Sequence, residues 1–327
     1  MVNVIGVGNA LVDLLIRIPD NKIIEELSLQ KGSMQLVDKE FIGTVLNKTS
    51  SLPKAEASGG SAANTIHGLA ALGVKTGFIG TIGKDTFGEV FTNDLKKSNI
   101  EPYLFLSDAE TGIAGTLITP DSERTFTTFL GAAGEISQKQ IVPQIISDYK
   151  IFHIEGYLVF NQGLIAHIAK VAKDCGLIIS LDLASFNVVE ANLDFLRKLV
   201  KEYVDIVFAN EEEAKAFTGK EPEEALNEIA TMAKIAIVKV GKNGSLIKSN
   251  DITYQISPIT AKPIDTTGAG DLYAGGFLYG YAKGLSFEKC GKIGSLLAGK
   301  VIEQLGAKIP PTAWDEIRKK IAVIESE

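Results

Sequence analysis

Histidine and cysteine are scarce in this chain, three and two in 327 residues. Three histidines argue against a His-rich metal centre. Cys175 and Cys290 lie far apart and suit a reducing cytoplasm, the expected location. No apolar run approaches about 20 residues, so no membrane span is expected. No basic leader precedes Val2 to Val7, which reads as a buried strand. Basic charge is also in deficit, 33 Lys and Arg against 40 Asp and Glu for a net −7, so a nucleic-acid partner is not expected. A small anionic ligand stays compatible, because a local pocket can be positive in an acidic protein. Internal repeats and low-complexity tracts are absent. What remains, 45% hydrophobic and 22% charged, suits a soluble globular protein with ample core.

The pattern alternates strand and helix along most of the chain. Strands are expected at Lys75 to Thr81, Ile151 to Glu155, Leu177 to Leu183, Ile206 to Ala209 and Ile235 to Val240. Helices are expected at Ser61 to Leu72, with Ser61 as N-cap and Gly73 as stop, and at Phe87 to Lys97. Such βαβ alternation predicts an α/β fold, a mostly parallel sheet covered on both faces. Asp13 to Val37 and Tyr103 to Phe129 break the rhythm. The second holds a hairpin, Thr111 to Ile118 and Arg124 to Phe129, around Pro120-Asp121-Ser122-Glu123. Both segments read as a small projecting sheet, either a mobile cover over a site or a hairpin that only packs.

Asp265-Thr266-Thr267-Gly268-Ala269-Gly270-Asp271 precedes a helical pattern from Leu272 to Lys283. Gly268, Ala269 and Gly270 would leave backbone amides free at the helix N-terminus, where the dipole favours an anion. Asp271 lies within one turn of that trap. A carboxylate beside a phosphate is unfavourable for mere binding. It suits removal of a proton from an attacking hydroxyl, hence phosphoryl transfer to an alcohol.

Other stretches bear two readings each. Ser58-Gly59-Gly60-Ser61-Ala62-Ala63-Asn64 lets backbone approach a ligand and offers Asn64 to vicinal hydroxyls, or is an ordinary capped glycine loop. Asn9 and Asp13 follow the first strand, at the edge where open α/β sheets bind ligands; Asp13 suits a diol, or a turn. Glu155 ends a strand on the same edge. Asn210 and Glu213 share a helical face and could hold water around magnesium, although an N-cap with dipole-complementing acids explains them equally. Lys239 to Gly244 reads as a hairpin turn against which a nucleotide base could lie. Arg124 could swing onto a phosphate, or be a solvated charge. Two nucleotide patterns are incomplete: Gly6-Val7-Gly8-Asn9-Ala10-Leu11 lacks its third glycine, and Gly294 to Lys300 is followed by Val301 rather than Ser or Thr.

Together these pieces resemble the ribokinase-like superfamily, the PfkB family of carbohydrate kinases. Its N-terminal signature is similar to Gly59-Gly60-Ser61-Ala62-Ala63-Asn64, its C-terminal one to Asp265 through Asp271, with Asn210-x-x-Glu213 between. The resemblance spans essentially the whole chain. It implies a three-layer α/β/α core in one kinase domain, residues 1–327, with a small β-sheet lid from segments near 13–40 and 103–130. By the same resemblance Asp271 is the catalytic base, and Gly268, Ala269 and Gly270 form the anion hole. Asn210 and Glu213 would organise Mg2+ and the ATP phosphates, while Lys239, Gly241, Gly244, Gly270 and Ser295 border the nucleotide. Asp13, Gly59, Gly60 and Asn64 would hold the acceptor. Asp265 and Thr267 lie where many relatives hold a monovalent cation such as K+.

Within the family, Gly8-Asn9-Ala10-Leu11-Val12-Asp13 looks like the Gly-Asn-Pro-Leu-Leu-Asp opening of adenosine kinases, with Ala10 departing at the proline. The expected acceptor is therefore the primary hydroxyl of an adenosine-like nucleoside. A sugar such as ribose or fructose is the alternative, and a non-catalytic nucleoside or sugar sensor a third reading. Monomer and homodimer both stay open.

Overall fold

Residues that read as continuous apolar runs in sequence form a parallel sheet buried on both faces. The computed structural model describes residues 2–121 and 123–327. Its strands are β1 (Val4–Val7), β2 (Leu11–Arg17), β3 (Met34–Leu36), β4 (Lys54–Gly59), β5 (Thr76–Gly83), β6 (Ile100–Ser107), β7 (Gly112–Ile118), β8 (Arg124–Phe129), β9 (Ile151–Glu155), β10 (Ile178–Asp182), β11 (Ile206–Asn210), β12 (Ile235–Lys239), β13 (Ser245–Ser249) and β14 (Ile252–Ile256). The large sheet runs β14-β13-β12-β11-β10-β9-β1-β5-β6. It is parallel from β12 to β6, with β13 and β14 antiparallel at one edge.

Alternation along each strand assigns the two faces. Ile5, Phe152, Ile179, Val207 and Val238 pack against Leu164 and Ile168 of one helical layer. Val4, Ile151, Ile206, Phe208 and Ile237 pack against Ile66, Phe277 and Ile293 of the other. The result is a ribokinase-like three-layer α/β/α core.

The small sheet runs β3-β8-β7-β2-β4. On β2, Val12, Leu14 and Ile16 meet Ile42 and Val45 of the helix Lys39–Lys48, with Ile113 and Leu117 from β7. Burying each such side chain contributes about 1.5–3 kcal/mol relative to exposure. That apolar set fixes the register, so Leu11 and Asp13 fall on the opposite face. There they line a large cavity between this sheet and the core.

Several boundaries depart from expectation. Tyr103–Ser107 continue β6 in the large sheet rather than joining the hairpin. β4 supplies an unexpected lid strand; its first half, Lys54 to Glu56, is exposed, as befits an edge. Ser122, in the expected hairpin turn, lies outside the described residues. The helix Ser61–Ala71 is capped by Gly60, whose φ of 99° suits glycine alone, and not by Ser61. The last expected helix begins earlier, at Ala269, and runs to Ala282. Among the described residues no helix is long and apolar enough to cross a membrane.

Candidate active site

A cavity of about 920 Å³ opens where the strand C-termini of the large sheet meet the small sheet. Its floor is the N-terminus of the helix Ala269–Ala282. Gly268 precedes that helix with φ 75°, a left-handed turn closed by the Leu272 amide donating to the Gly268 carbonyl at 2.8 Å. An added Cβ on Gly268 would meet Ala307 at 2.6 Å. The turn therefore needs glycine twice over, for its φ and for its contact. The Ala269 amide donates to the Thr266 carbonyl at 3.2 Å, whereas Gly268 and Gly270 have no backbone acceptor among the described residues. Two of the three expected anion-hole amides are thus open, and the third is engaged in the turn.

Asp271 sits half-buried in the first turn of that helix. Ser61 Oγ donates to its Oδ1 at 2.7 Å and Asn64 Nδ2 to its Oδ2 at 2.9 Å. Burial raises its carboxyl to about 6, against the lowering effect of those hydrogen bonds. The Ser61 hydroxyl is available because Gly60 caps the helix instead; its partner was not legible in the sequence. Asn64 Oδ1 is buried with no partner. An orphaned acceptor facing this centre fits a ligand hydroxyl.

Two acidic groups on the acceptor side differ sharply. Glu155 is fully committed to the protein: Oε1 accepts from Asn9 N at 3.3 Å and Asn9 Nδ2 at 2.6 Å, and Oε2 from Ala62 N at 3.1 Å. It clamps the turn after β1 to the start of the helix Ser61–Ala71. Burial pushes its carboxyl up to about 7. Asp13 lines the cavity over Gly59, where any side chain would collide with its carboxylate. Burial also raises Asp13 to about 7, with Lys308 pulling it down and Asp271 and Asp265 pushing it up. Around it the lid wall is apolar, formed by Leu11, Met34, Leu36, Phe126 and Leu130.

On the opposite side Asn210 and Glu213 form a reciprocal capping box. Asn210 Oδ1 accepts from Glu213 N at 2.8 Å, and Glu213 Oε2 from Asn210 N at 2.7 Å. Burial and nearby Asp182 raise the Glu213 carboxyl. Lys239 donates to Asp182 Oδ2 at 3.0 Å, and a Cβ on Gly270 would lie 3.0 Å from its ammonium nitrogen. This lysine, expected only to border a nucleotide, stands beside the open Gly270 amide. Asp182, at the end of β10, escaped notice because a lone strand-end carboxylate carries no motif. Gly241, Gly244 and Ser295 line the same cavity, the glycines within a tight turn joining antiparallel β12 and β13.

Arg124 is neither solvated nor swung toward the Gly270 end. Its Nη1 pairs with Asp265 and donates to Thr267 Oγ1. Asp265 also accepts from the amides of Thr267 and Gly306, both at 2.6 Å. The positive charge expected at Asp265 and Thr267 is a guanidinium of the chain itself, so these two residues do not fit an added K+. For Mg2+, among the described residues no three His, Cys, Asp or Glu side chains converge. Glu213 and Asp182 offer hard oxygens that fit an ion held mainly by water and phosphate.

The arrangement pairs open amides at a helix N-terminus with a carboxylate of raised pKa, and comparisons with known proteins give the family. The description "pfkB family carbohydrate kinase" matches residues 43–314. A solved structure of a probable sugar kinase from Rhizobium etli CFN 42 shares 35% identity at a TM-score of 0.92, covering 99% of each chain. Adenosine kinase from Sinorhizobium meliloti shares 32% identity at a TM-score of 0.89, over 98% of this chain and 99% of its own. Adenosine kinase of Saccharomyces cerevisiae is 27% identical over 93% of this chain and 95% of its own.

Proposed function

The chain belongs to the pfkB family of carbohydrate kinases, and from that premise we propose that it phosphorylates the primary hydroxyl of a nucleoside, with ATP as donor. Phosphoryl transfer to a hydroxyl on a small nucleoside or sugar is the activity of the family and its named relatives. The choice of a nucleoside rests on one observation: an apolar lid wall of Leu11, Met34, Leu36, Phe126 and Leu130 that lines the same cavity as Asp13 and Asn64. A free sugar carries hydroxyls on nearly every carbon, and such a wall would leave several unpaired. A nucleoside puts its ribose diol against Asp13 and Asn64 and its flat base against the wall. The similarity to adenosine kinases supports the same reading.

Asp271, oriented by Ser61 and Asn64, takes the proton of the attacking hydroxyl as the new bond to phosphorus forms. The open amides of Gly268 and Gly270, and the Lys239 ammonium, receive the charge of the transferred group. Glu213 and Asp182, with Asn210, would hold magnesium through water, where the ion would supply neutralising charge to the phosphates. The lid hairpin, tied down by Arg124, excludes the water that would otherwise compete as acceptor.

A screen of ADP release with adenosine, other nucleosides, ribose and fructose tests the reading. Adenosine or another nucleoside should give the highest kcat/KM. A higher value for ribose or fructose would move the acceptor to the sugars. Binding without ADP release under any acceptor would make the protein a sensor.

A further inference from the structure

The helix Ser61–Ala71 brings Ser61 and Asn64 to Asp271. It has no side-chain cap of its own, because its N-cap is Gly60. A helix start leaves its first amides without intrahelical partners. Here an acceptor arrives from elsewhere in the chain. Glu155 Oε2, at the end of β9, accepts from the Ala62 amide at 3.1 Å. Its other oxygen, Oε1, accepts from Asn9 N at 3.3 Å and Asn9 Nδ2 at 2.6 Å. Two glycines permit this approach: a side chain on Gly8 would collide with Glu155 Oε2, and one on Gly60 with the Asn9 carbonyl. Glu155 is thereby 1% exposed, with both oxygens engaged by the protein.

A hydroxyl at a helix start readily accepts from a first-turn amide. Ser61 instead donates to Asp271 Oδ1 at 2.7 Å. The body of its helix is seated on the helix Ala269–Ala282 one turn further in. There Thr65 Oγ1 donates to the Asp271 carbonyl at 3.1 Å, and a Cβ on Gly275 would lie 3.0 Å from the Thr65 carbonyl oxygen. Those contacts leave the first turn to Glu155. We propose that Glu155 is a positioning residue: capping the helix from β9, it fixes the peptide joining Ser61 to Ala62 and so aims the Ser61 hydroxyl at Asp271. This role rests on Asp271 being the base that takes the acceptor's proton. It gives Glu155 no contact with the acceptor, although the residue borders the same cavity. A carboxylate that only tied elements together would affect stability alone. One that aims Ser61 affects turnover, and does so through Ser61.

The experiment measures kcat and acceptor KM with adenosine, or the acceptor that surpasses it, at about pH 8, where both raised carboxyls are ionised. The proteins are the wild type, Glu155→Gln, Ser61→Ala, the double variant Glu155→Gln/Ser61→Ala, and Asp271→Asn. Rates are referred to acceptor-binding sites counted by calorimetry, so that unfolded protein does not enter. In Glu155→Gln the side-chain amide sets a donor against Ala62 N or against Asn9. Its kcat should fall by about tenfold, the scale of one buried hydrogen bond left unmade. Ser61→Ala should fall by a similar factor. The double variant should match the slower single one within about twofold, because the second change removes nothing that the first had left. The acceptor KM should move by less than about threefold in Glu155→Gln. If Glu155→Gln does not fold, the same cycle is run with Glu155→Asp, whose carboxylate draws back from Ala62 by one methylene.

Losses that multiply in the double variant overturn the proposal, since Glu155 then acts by a route that does not pass through Ser61. An unchanged kcat in Glu155→Gln does so too; if the acceptor KM rises at the same time, Glu155 is an acceptor contact. Near-normal turnover in Asp271→Asn instead removes the base beneath it, which separates the two failures.

Discussion

Arg124 of the lid hairpin and Asp265 of the anion-hole loop form an ion pair whose side chains are 7% and 0% exposed. The pair joins two parts of the chain that meet nowhere near each other in sequence, and it holds the lid against the loop carrying Gly268. Breaking a buried pair by removing one partner costs about 3–5 kcal/mol, because the remaining charge is left uncompensated. Arg124→Ala is therefore expected to lose stability of that order in a urea unfolding series and to turn over more slowly. A loss indistinguishable from that of a surface arginine would show that the pair does not hold the lid.

The same guanidinium bears on salt dependence. It already neutralises Asp265, so replacing K+ by a bulky organic cation at constant ionic strength should leave wild-type turnover unchanged. Arg124→Ala, with Asp265 exposed to solvent ions, should become sensitive to the identity of the cation. Strong K+ activation of the wild type would contradict this assignment.

Asp271→Asn should lower kcat by about 10²–10⁴-fold, the usual contribution of a positioned general base. Nucleoside affinity measured by calorimetry should change little, since the proposed diol contacts lie on Asp13 and Asn64. Near-normal turnover would remove Asp271 from the mechanism.

The raised carboxyl of Asp271 gives two pH effects. The base must be ionised to work, so kcat should fall as pH drops through about 6. Stability moves the other way. The folded state holds this proton to higher pH than the unfolded chain does, so its burial is unfavourable above about 6 and relieved as pH falls toward the ordinary carboxylate range. At pH 8, Asp271→Asn should thus have a Tm no lower than the wild type, and a clear loss there would mean that its hydrogen bonds outweigh the burial of its charge.

Gly59→Ala puts a methyl group onto the Asp13 carboxylate. The acceptor KM should rise by on the order of tenfold or more, the scale of a displaced charge-assisted hydrogen bond, while the ATP KM stays put. Parallel changes in both would mark a general loss of structure.

Sequence legibility followed physical locality. The central strands of the large sheet, β1, β5 and β9 to β12, were readable because both faces are apolar, and the two glycine signatures because their chemistry sits within seven residues. β4 was not, since an exposed edge strand such as Lys54-Ala55-Glu56-Ala57-Ser58-Gly59 carries little apolar pattern. Asn210 and Glu213 were readable as a pair but not as a capping box closed on itself. Glu155 was placed on the right edge, yet its commitment to Asn9 and Ala62 depends on how two distant elements pack. Asp182 acts through Lys239, 57 residues away, and no local pattern announces such a contact.

β1 ends in the core sheet and, after only Gly8, Asn9 and Ala10, the chain enters the lid as β2. The wall that meets the acceptor is thus built from exchangeable masonry, whereas the helix carrying Asp271 belongs to the foundation. Recombining β2, β3, β4, β7 and β8 from a relative with another preference would amount to changing a lock's wards without recutting its bolt. Cutting at the short crossings, among them Gly8 to Ala10, gives a practical design rule for redirecting the enzyme to a different alcohol.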